Sequence, residues 1–423
     1  MKSPLPLLPA FLLVLFFAVP CSADASVFPH KMPTGRPDIP LSSAADRMFD
    51  YLAPRAQDNP LFSQFKYTRL QGFDYANGDG TVSRRDPSRP ILVDGSYYIY
   101  YTKRDTIVPP IGSHRAAEAT DEIPSTDWDL CEIWYATSTD GFTWKEQGVA
   151  VPRPPQPELG WRSVSTPDVL VWQGKYYLYY QAFNEPSGTK GDWCPVTVSW
   201  ADSPTGPWTP IGKQVMEFGQ KGEWDQDAQH DPQPLVRDGK IHLYYKAAYN
   251  KWPDIRDQYA VGNGLGIADH PFGPFAKHPL NPVVNSGHET IYFPFKEGIA
   301  TILLKDGNER STVQYAADGV NFEIASVISL GPNAGAPYSP DAFTDTKDGR
   351  GISWGLSHFV GVGEPGKRYS IMARFDCDLT VDGQDPSLKN SRVGLPPEVY
   401  FNQGLSASQR ALIATQNDQE LSR

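Results

Sequence analysis

The stretch Ile91-Leu92-Val93-Asp94-Gly95-Ser96-Tyr97-Tyr98-Ile99-Tyr100 decides the fold, because its pattern returns several times along the sequence. An apolar run, a turn containing glycine and an aromatic run together predict a β-hairpin. Clear copies lie at 169–179 and 235–244, and weaker ones surround 297–299 and 348–352. The turn glycines of the five copies are Gly95, Gly174, Gly239, Gly298 and Gly349.

Each of the first four copies is followed by a second hairpin, and the fifth by the strand Ser370–Phe375. Two hairpins make four antiparallel strands, and a ring of such units is a β-propeller. The sequence therefore predicts an all-β, five-bladed propeller. A β-sandwich or an irregular all-β fold is the alternative, but the agreement of five copies favours the propeller.

The composition agrees with a fold of short strands and many turns. Of the 423 residues, 12% are aromatic, 36 are glycine and 40 are proline, which favours strands and turns over long helices. With 49 acidic and 38 basic residues the net charge is −11. This charge argues against nucleic acid as a partner, because binding to phosphates needs a basic face.

Residues 1–25 have the features of a signal peptide. Lys2 supplies the positive end, Leu5–Val19 is apolar, and Ala23-Asp24-Ala25 has the form that a signal peptidase cuts. The apolar run is too short for a comfortable membrane span, and no later stretch is apolar enough. We therefore expect an exported protein, periplasmic or secreted, without membrane insertion.

Three cysteines, Cys131, Cys194 and Cys377, remain after the signal segment with Cys21 is removed. Their odd number and wide spacing predict neither a disulfide framework nor a zinc site. We expect small buried apolar residues.

The repeats divide the chain into four parts: a signal peptide (1–25), an N-terminal extended and helical arm (26–80), the propeller (81–385) and a tail (386–423). Ser43-Ala44-Ala45-Asp46 resembles a capping box and predicts a short helix before Pro54. A second helical stretch is predicted at Leu61–Phe65, and a short C-terminal helix at Leu405–Leu421. Because the arm lies outside the repeats, it is a candidate for packing on a partner subunit.

Each predicted blade brings an acidic residue to nearly the same place before its hairpin glycine. These residues are Asp86, Asp168, Asp231, Glu289 and Asp341. Like charges that lie close together destabilise a fold, so an acidic residue repeated at this place in each blade indicates a functional site. An acid and a base that flank a sugar linkage are what glycoside hydrolysis needs. The alternative is that these are loop acids that cap turns.

His288 precedes the fourth blade within this ring of acids. An imidazole titrates near neutral pH and can give a proton to a leaving oxygen. Arg85 and Arg162 could donate to sugar hydroxyls or orient a carboxylate. Tryptophans between the strands could stack on sugar rings or merely pack the blades; they are Trp128, Trp134, Trp161 and Trp224.

Several motifs resemble those of the α-neoagaro-oligosaccharide hydrolases, glycoside hydrolase family 117, over about residues 43–380. The matching motifs are Asp58–Phe62, Gly72–Tyr75, Ser83–Pro87, Asp127–Asp129, Gly160–Thr166, His230–Pro232, Asn285–Thr290 and Pro340–Asp345. The resemblance implies a five-bladed propeller and a homodimer that exchanges its N-terminal arm. It also implies exo-hydrolysis of agar-derived oligosaccharides, which releases 3,6-anhydro-L-galactose from an α-1,3 linkage with inversion.

The resemblance also implies roles for particular residues. Asp86 would be the general base and His288 the general acid. Asp231 would tune or orient the acid, and Glu289 would support His288. The residues expected to bind substrate are Arg85, Trp128, Arg162, Thr166, Asp168 and His230.

Two other functions stay open. The first is another propeller glycosidase of Asp/Asp/Glu type, in which Glu289 is the acid and His288 a bystander. The second is a non-catalytic propeller that binds sugar. No cofactor is required by any of these; the acidic ring could hold a divalent cation, but no ligand spacing demands one.

Overall fold

The computed structural model describes residues 28–31, 33, 35–49, 60–188, 192–226, 228–248, 261–307 and 309–381. The predicted signal peptide and the C-terminal tail with its predicted helix lie outside these residues. Within the described part of the protein, no helix has the length and hydropathy of a membrane span.

The strands form the blades of a five-bladed β-propeller, as the repeats predict. Blade 1 contains Val82–Arg85, Ile91–Val93, Ser96–Asp105, Cys131–Ser138 and Lys145–Val151. Blade 2 contains Ser163–Trp172, Lys175–Phe183, Val196–Ala201 and Thr209–Pro210. Blade 3 contains His230–Arg237, Lys240–Ala248, Val261–Ala268 and Ala276–Lys277. Blade 4 contains Ile291–Lys296, Gly298–Leu303, Thr312–Ala316 and Glu323–Val327.

Blade 5 takes its outermost strand from the N-terminal part of the sequence. Its own strands are Ala336–Pro337, Gly349–Val362 and Tyr369–Thr380, and Lys66–Arg69 pairs antiparallel with the last of them. This strand lies inside the segment expected to be the N-terminal arm, so the propeller includes part of that segment. Its addition covers a sheet edge that would otherwise expose unpaired backbone groups.

The repeated aromatic strands explain how neighbouring blades are joined. Tyr100, Tyr179 and Tyr244 occupy the same place in blades 1, 2 and 3, and all three are fully buried. Each hydroxyl donates to a carbonyl oxygen in the next blade, namely that of Pro204, Pro271 or Gly319, over 2.6–2.7 Å. A buried phenol needs such a partner, so the repeat encodes contacts between blades as well as strands.

The helix of the N-terminal arm is short, at Ser43–Arg47, and its cap is Ser42, whose Oγ accepts from the Ala45 N–H over 3.2 Å. Ser42 also donates to the carbonyl of Pro282 over 2.7 Å, which fixes the helix on blade 3. The helix predicted at Leu61–Phe65 is wrong. These residues form a turn and an irregular segment, and the Leu61 and Phe65 side chains are buried against blades 4 and 5.

Two short 3₁₀-helices, Ala76–Gly78 and Ser113–Glu118, lie in the loops. The second belongs to the long connection between Ser96–Asp105 and Cys131–Ser138 of blade 1, which folds over one end of the channel. The three remaining cysteines are free and buried, as expected.

Candidate active site

Four blades place one side chain each at the same end of the channel through the same backbone device. Asp86, Thr166, Asp231 and Glu289 have φ values of 47°, 52°, 51° and 58°. Non-glycine residues rarely adopt this left-handed conformation, and a β-branched threonine does so at a real cost. Such strain concentrates at functional sites, so its repetition in four blades marks this end of the channel.

The expected ring of five acids is therefore wrong in two blades. Asp168 is paired with Arg89, with Oδ2 and Nη2 2.7 Å apart, and both side chains are fully buried. Asp341 is paired with Arg350 over 3.0 Å. Neither lines the cavity at this end. In blade 2 the position belongs to Thr166, which precedes a proline as Asp86 and Asp231 do.

A cavity of about 740 Å³ opens at this end of the channel. Most of the residues expected from the sequence line it: Arg85, Trp128, Thr166, His230, Asp231, His288 and Glu289. The sequence analysis missed others that also line it: Asp127, Gln181, Asp192, Lys246, Lys305, Asp306 and Tyr369. The lining is therefore strongly charged, with both signs interspersed.

Asp86 lies just beneath the wall of this cavity. The Nε of Arg85 donates to its Oδ2 over 2.8 Å, and the hydroxyl of Thr166 lies 3.3 Å from the same oxygen. Burial opposes ionisation, but the Arg85 charge holds the pKa of Asp86 well below its ordinary value. Asp86 is thus an ionised carboxylate beside the cavity, in contact with two residues that line it.

Asp231 and Glu289 are buried and each has its own lysine. Lys246 Nζ lies 3.0 Å from Oδ2 of Asp231, and Lys305 Nζ lies 2.8 Å from Oε2 of Glu289. Burial would raise both carboxyl pKa values, but the lysine charges lower them below their ordinary values. The two acids are also linked, because the Glu289 N–H donates to Oδ2 of Asp231 over 3.2 Å.

His358 in blade 5 bridges two of these carboxylates at the centre of the propeller. Its Nδ1 lies 3.1 Å from Oδ1 of Asp86, and its Nε2 lies 3.5 Å from Oε2 of Glu289. Burial disfavours its charged form, but Glu289 and Asp86 outweigh this and raise the pKa of His358. Among the described residues, these three offer ligand atoms within 4.8 Å of one another and could hold a metal ion.

The two histidines that line the cavity differ in their surroundings. Nε2 of His230 is 3.0 Å from the carbonyl oxygen of Asp192, and burial with the nearby Lys246 charge lowers the pKa of His230 to about 3. This ring is neutral at ordinary pH. His288 is about a third exposed, and its Nδ1 lies 2.7 Å from Oδ2 of Asp306. Of the two, His288 has a carboxylate that can balance an added proton.

Some residues expected at the site have structural partners instead. Arg162 is buried and paired with Asp129, with Nη2 and Oδ2 2.6 Å apart, so it anchors a loop and does not line the cavity. Of the four tryptophans only Trp128 lines the cavity, and the Arg85 guanidinium lies 5.1 Å from its ring centre. The other three are Trp134, Trp161 and Trp224.

Part of what was missed had a signal in the sequence. Gln181 and Lys246 lie two residues before the ends of the aromatic strands of blades 2 and 3 and pair in register with Ser165 and His230. A polar residue near the end of an aromatic strand marks the channel mouth in both blades. Asp306 and His358 belong to no repeated pattern.

The comparison with solved structures decides the family. Zg3597, a family 117 glycoside hydrolase from the marine bacterium Zobellia galactanivorans, is 72% identical to this protein, with a TM-score of 0.77; the alignment covers 82% of this protein and 100% of Zg3597. The protein belongs to glycoside hydrolase family 117. Membership in family 117 confirms the resemblance noted from the motifs and makes the protein a glycoside hydrolase.

A more distant likeness agrees with the family 117 fold. The solved structure of a BT0996 RGII complex is 12% identical, with a TM-score of 0.50; the alignment covers 74% of this protein and 92% of the other. At this identity only the fold is shared. A scan with protein-family models and a search of curated proteins gave no match.

Proposed function

We propose that the protein is an exo-acting hydrolase that cleaves the α-1,3 linkage of neoagarobiose and longer neoagaro-oligosaccharides. It releases 3,6-anhydro-L-galactose from the non-reducing end with inversion. The observation that carries this proposal is the meeting of Asp86, Asp231, Glu289 and His288 at one end of the channel. An inverting glycosidase needs one group that gives a proton and one that takes it from water.

The proton donor in this proposal is His288. Glu289 is the donor in the second candidate, a propeller glycosidase of Asp/Asp/Glu type. The Glu289 carboxylate is buried, receives hydrogen bonds from Lys305 and Arg85, and has a lowered pKa. An ionised carboxylate has no proton to give, and a donor must reach the leaving oxygen. The more exposed His288 fits this task better.

The general base in this proposal is Asp86. Its pKa is held well below the ordinary value, so it is ionised at any ordinary pH, as a general base must be. Arg85 and Thr166 line the cavity and also contact its carboxylate. The attacking water would lie beside Arg85 and Thr166, within hydrogen-bond reach of the Asp86 carboxylate, on the side of the sugar opposite to His288.

The test is proton NMR of neoagarobiose incubated with the mature protein, alongside neoagarotetraose and aryl arabinosides and xylosides. We expect anhydrogalactose and galactose to appear together, and the first anhydrogalactose signal to be that of the inverted anomer. An intact disaccharide with cleavage of another glycoside would support the second candidate. Line broadening or saturation transfer without any product would indicate a non-catalytic sugar-binding propeller.

We further propose that the protein is exported and forms a dimer in which the arm helix Ser43–Arg47 packs on the partner subunit. The helix contacts blade 4 through Arg47, whose guanidinium lies 3.0 Å from carboxylate oxygens of Glu309 and Glu323. The structure places these contacts within one protomer, and in an exchange of arms the same side chains would meet across the two subunits.

A pair of cysteines distinguishes the two arrangements. Arg47→Cys with Glu323→Cys, treated with a short bismaleimide, should give a covalent dimer on a denaturing gel. Glu323 is exposed, and the native Cys131, Cys194 and Cys377 are buried, so only the new thiols should react. A band at the mass of one internally cross-linked protomer would contradict the exchange. Each single variant serves as the control.

A further inference from the structure

We propose that Asp306 is a positioning residue for the reaction. Its carboxylate holds the Nδ1 side of His288 and so aims Nε2 at the glycosidic oxygen. This inference rests on the proposed function of His288 as the proton donor. Asp306 has no counterpart in the repeat pattern, and only folding brings it to His288.

The geometry is fixed on both sides of the contact. Nδ1 of His288 and Oδ2 of Asp306 are 2.7 Å apart. The backbones are joined as well, because the Gly287 N–H donates to the carbonyl of Asp306 and the His288 N–H to that of Leu304, both over 2.9 Å. The imidazole therefore cannot turn freely, and Nε2 is the nitrogen left for the cavity.

Two ion pairs lie side by side, and each joins an acidic side chain to a different basic one. His288 pairs with Asp306, and the adjacent Glu289 pairs with Lys305, the residue before Asp306. Lys305 has a φ of 59°, a left-handed turn in the backbone between the two pairs. The Glu289 carboxylate accepts a hydrogen bond from Lys305. Among the described residues, Asp306 is the carboxylate in direct contact with the His288 ring.

The other charged groups near His288 come from neighbouring blades. They are Asp231, Lys246, Asp192 and His230. The paired Asp231 and Lys246 offset one another, and His230 is neutral. Asp306 is thus the group whose negative charge would balance that of a protonated His288 ring. The hydrogen bond between the two side chains lowers the pKa of Asp306.

The proton balance of the step is simple. The Nε2–H of His288 goes to the glycosidic oxygen as the bond from that oxygen to the anomeric carbon breaks. Water attacks that carbon and gives its proton to Asp86. The Nδ1–H stays on His288 and continues to donate to Asp306, as happens with the buried aspartate in a serine-protease triad.

The expected effect is moderate, because the Asp306 side chain is 44% exposed. We expect Asp306→Asn and Asp306→Ala to lower kcat for neoagarobiose by roughly 10- to 100-fold with little change in KM, a part of the 10²–10⁴ that proton donation supplies. Asp202→Asn, which removes an exposed aspartate paired with Lys175 on blade 2, should leave kcat unchanged.

The leaving group separates positioning from structural damage. An aryl glycoside of the same sugar with an acidic phenol needs no proton to depart. Both Asp306 variants should cleave it at close to the wild-type rate. An equal loss on both substrates would overturn the proposal, because it would place Asp306 in binding or folding.

A second readout does not depend on any substrate. With ¹⁵N-labelled histidine, the signals of His288 can be identified by their loss in His288→Gln. In the wild type the neutral ring should carry its proton on Nδ1, and in Asp306→Ala the signals should move toward the Nε2–H form. Unchanged signals would overturn the role of Asp306 even if neoagarobiose proves not to be the substrate; absent hydrolysis with changed signals would instead count against the proposed function alone.

Discussion

Asp86→Asn is expected to lower kcat on neoagarobiose by about 10³-fold or more, within the range that general bases contribute. The amide cannot take a proton from the attacking water. Asparagine tolerates the left-handed backbone at this position, where φ is 47°, and it can keep one hydrogen bond from Arg85. The variant should therefore fold, and circular dichroism and gel filtration would check this.

The matched control for Asp86→Asn is Asp94→Asn. Asp94 lies in the hairpin turn of the same blade with a φ of 50°. Asp94→Asn therefore removes the same charge at the same backbone conformation, but away from the cavity. Azide offers a further check, because a small anion needs no base. Azide should restore turnover of Asp86→Asn with an activated aryl glycoside and give the inverted glycosyl azide. Full activity without azide would remove Asp86 from the role of base.

His288→Ala is expected to show the second large effect, a loss of about 10³-fold in kcat for a sugar leaving group. For an aryl glycoside with an acidic phenol the loss should be below about tenfold, because that phenolate leaves without a proton. The ratio of the two rates is the measurement. His270→Ala, in an outer hairpin of blade 3, is the control and should leave both rates unchanged.

Glu289→Gln tells the two candidate acids apart. Glu289 contacts Lys305, Arg85 and His358 in a buried cluster. Removing one partner of a buried ion pair costs on the order of 3–5 kcal/mol. We expect a lower melting temperature and similar losses on both substrates. If acidic phenols instead rescue Glu289→Gln and leave His288→Ala inactive, Glu289 is the acid and the Asp/Asp/Glu type of glycosidase is the better interpretation.

Asp168 and Asp341 were predicted to belong to the acidic ring, and neither lines the cavity. Asp168 lies six residues before its hairpin glycine and Asp341 eight, against nine for Asp86. The register of blade 2 shifts between Ser165 and Asp168, and that of blade 3 shifts between His230 and Gln233. In both blades the residue that lines the cavity, Thr166 or Asp231, lies inside the shifted segment. Counting eight residues back from Gly174 gives Thr166, the same spacing as Asp231 has before Gly239. In blade 2 the error came from expecting an acidic residue in every blade.

The sequence by itself determined the five blades, the short arm helix, the family and seven of the residues that line the cavity. The cap of the helix is Ser42, one residue before the predicted capping box. Hairpin turns and aromatic strands depend on residues that are close together in the chain, so a short stretch of sequence is enough to predict them. The motif around His288 and Glu289 is also local. Each of these features is produced by interactions within a short stretch of the chain.

Only the tertiary structure decided which charges meet. The strand Lys66–Arg69 closes blade 5 against Tyr369–Thr380, and His358 reaches Asp86 and Glu289 from far along the sequence. Asp306 holds His288, whereas Arg89 takes Asp168 out of the site. A charged side chain pairs with whichever partner the packing of the blades places within about 3 Å, the length of a charge-assisted hydrogen bond, and no spacing in the sequence encodes that distance.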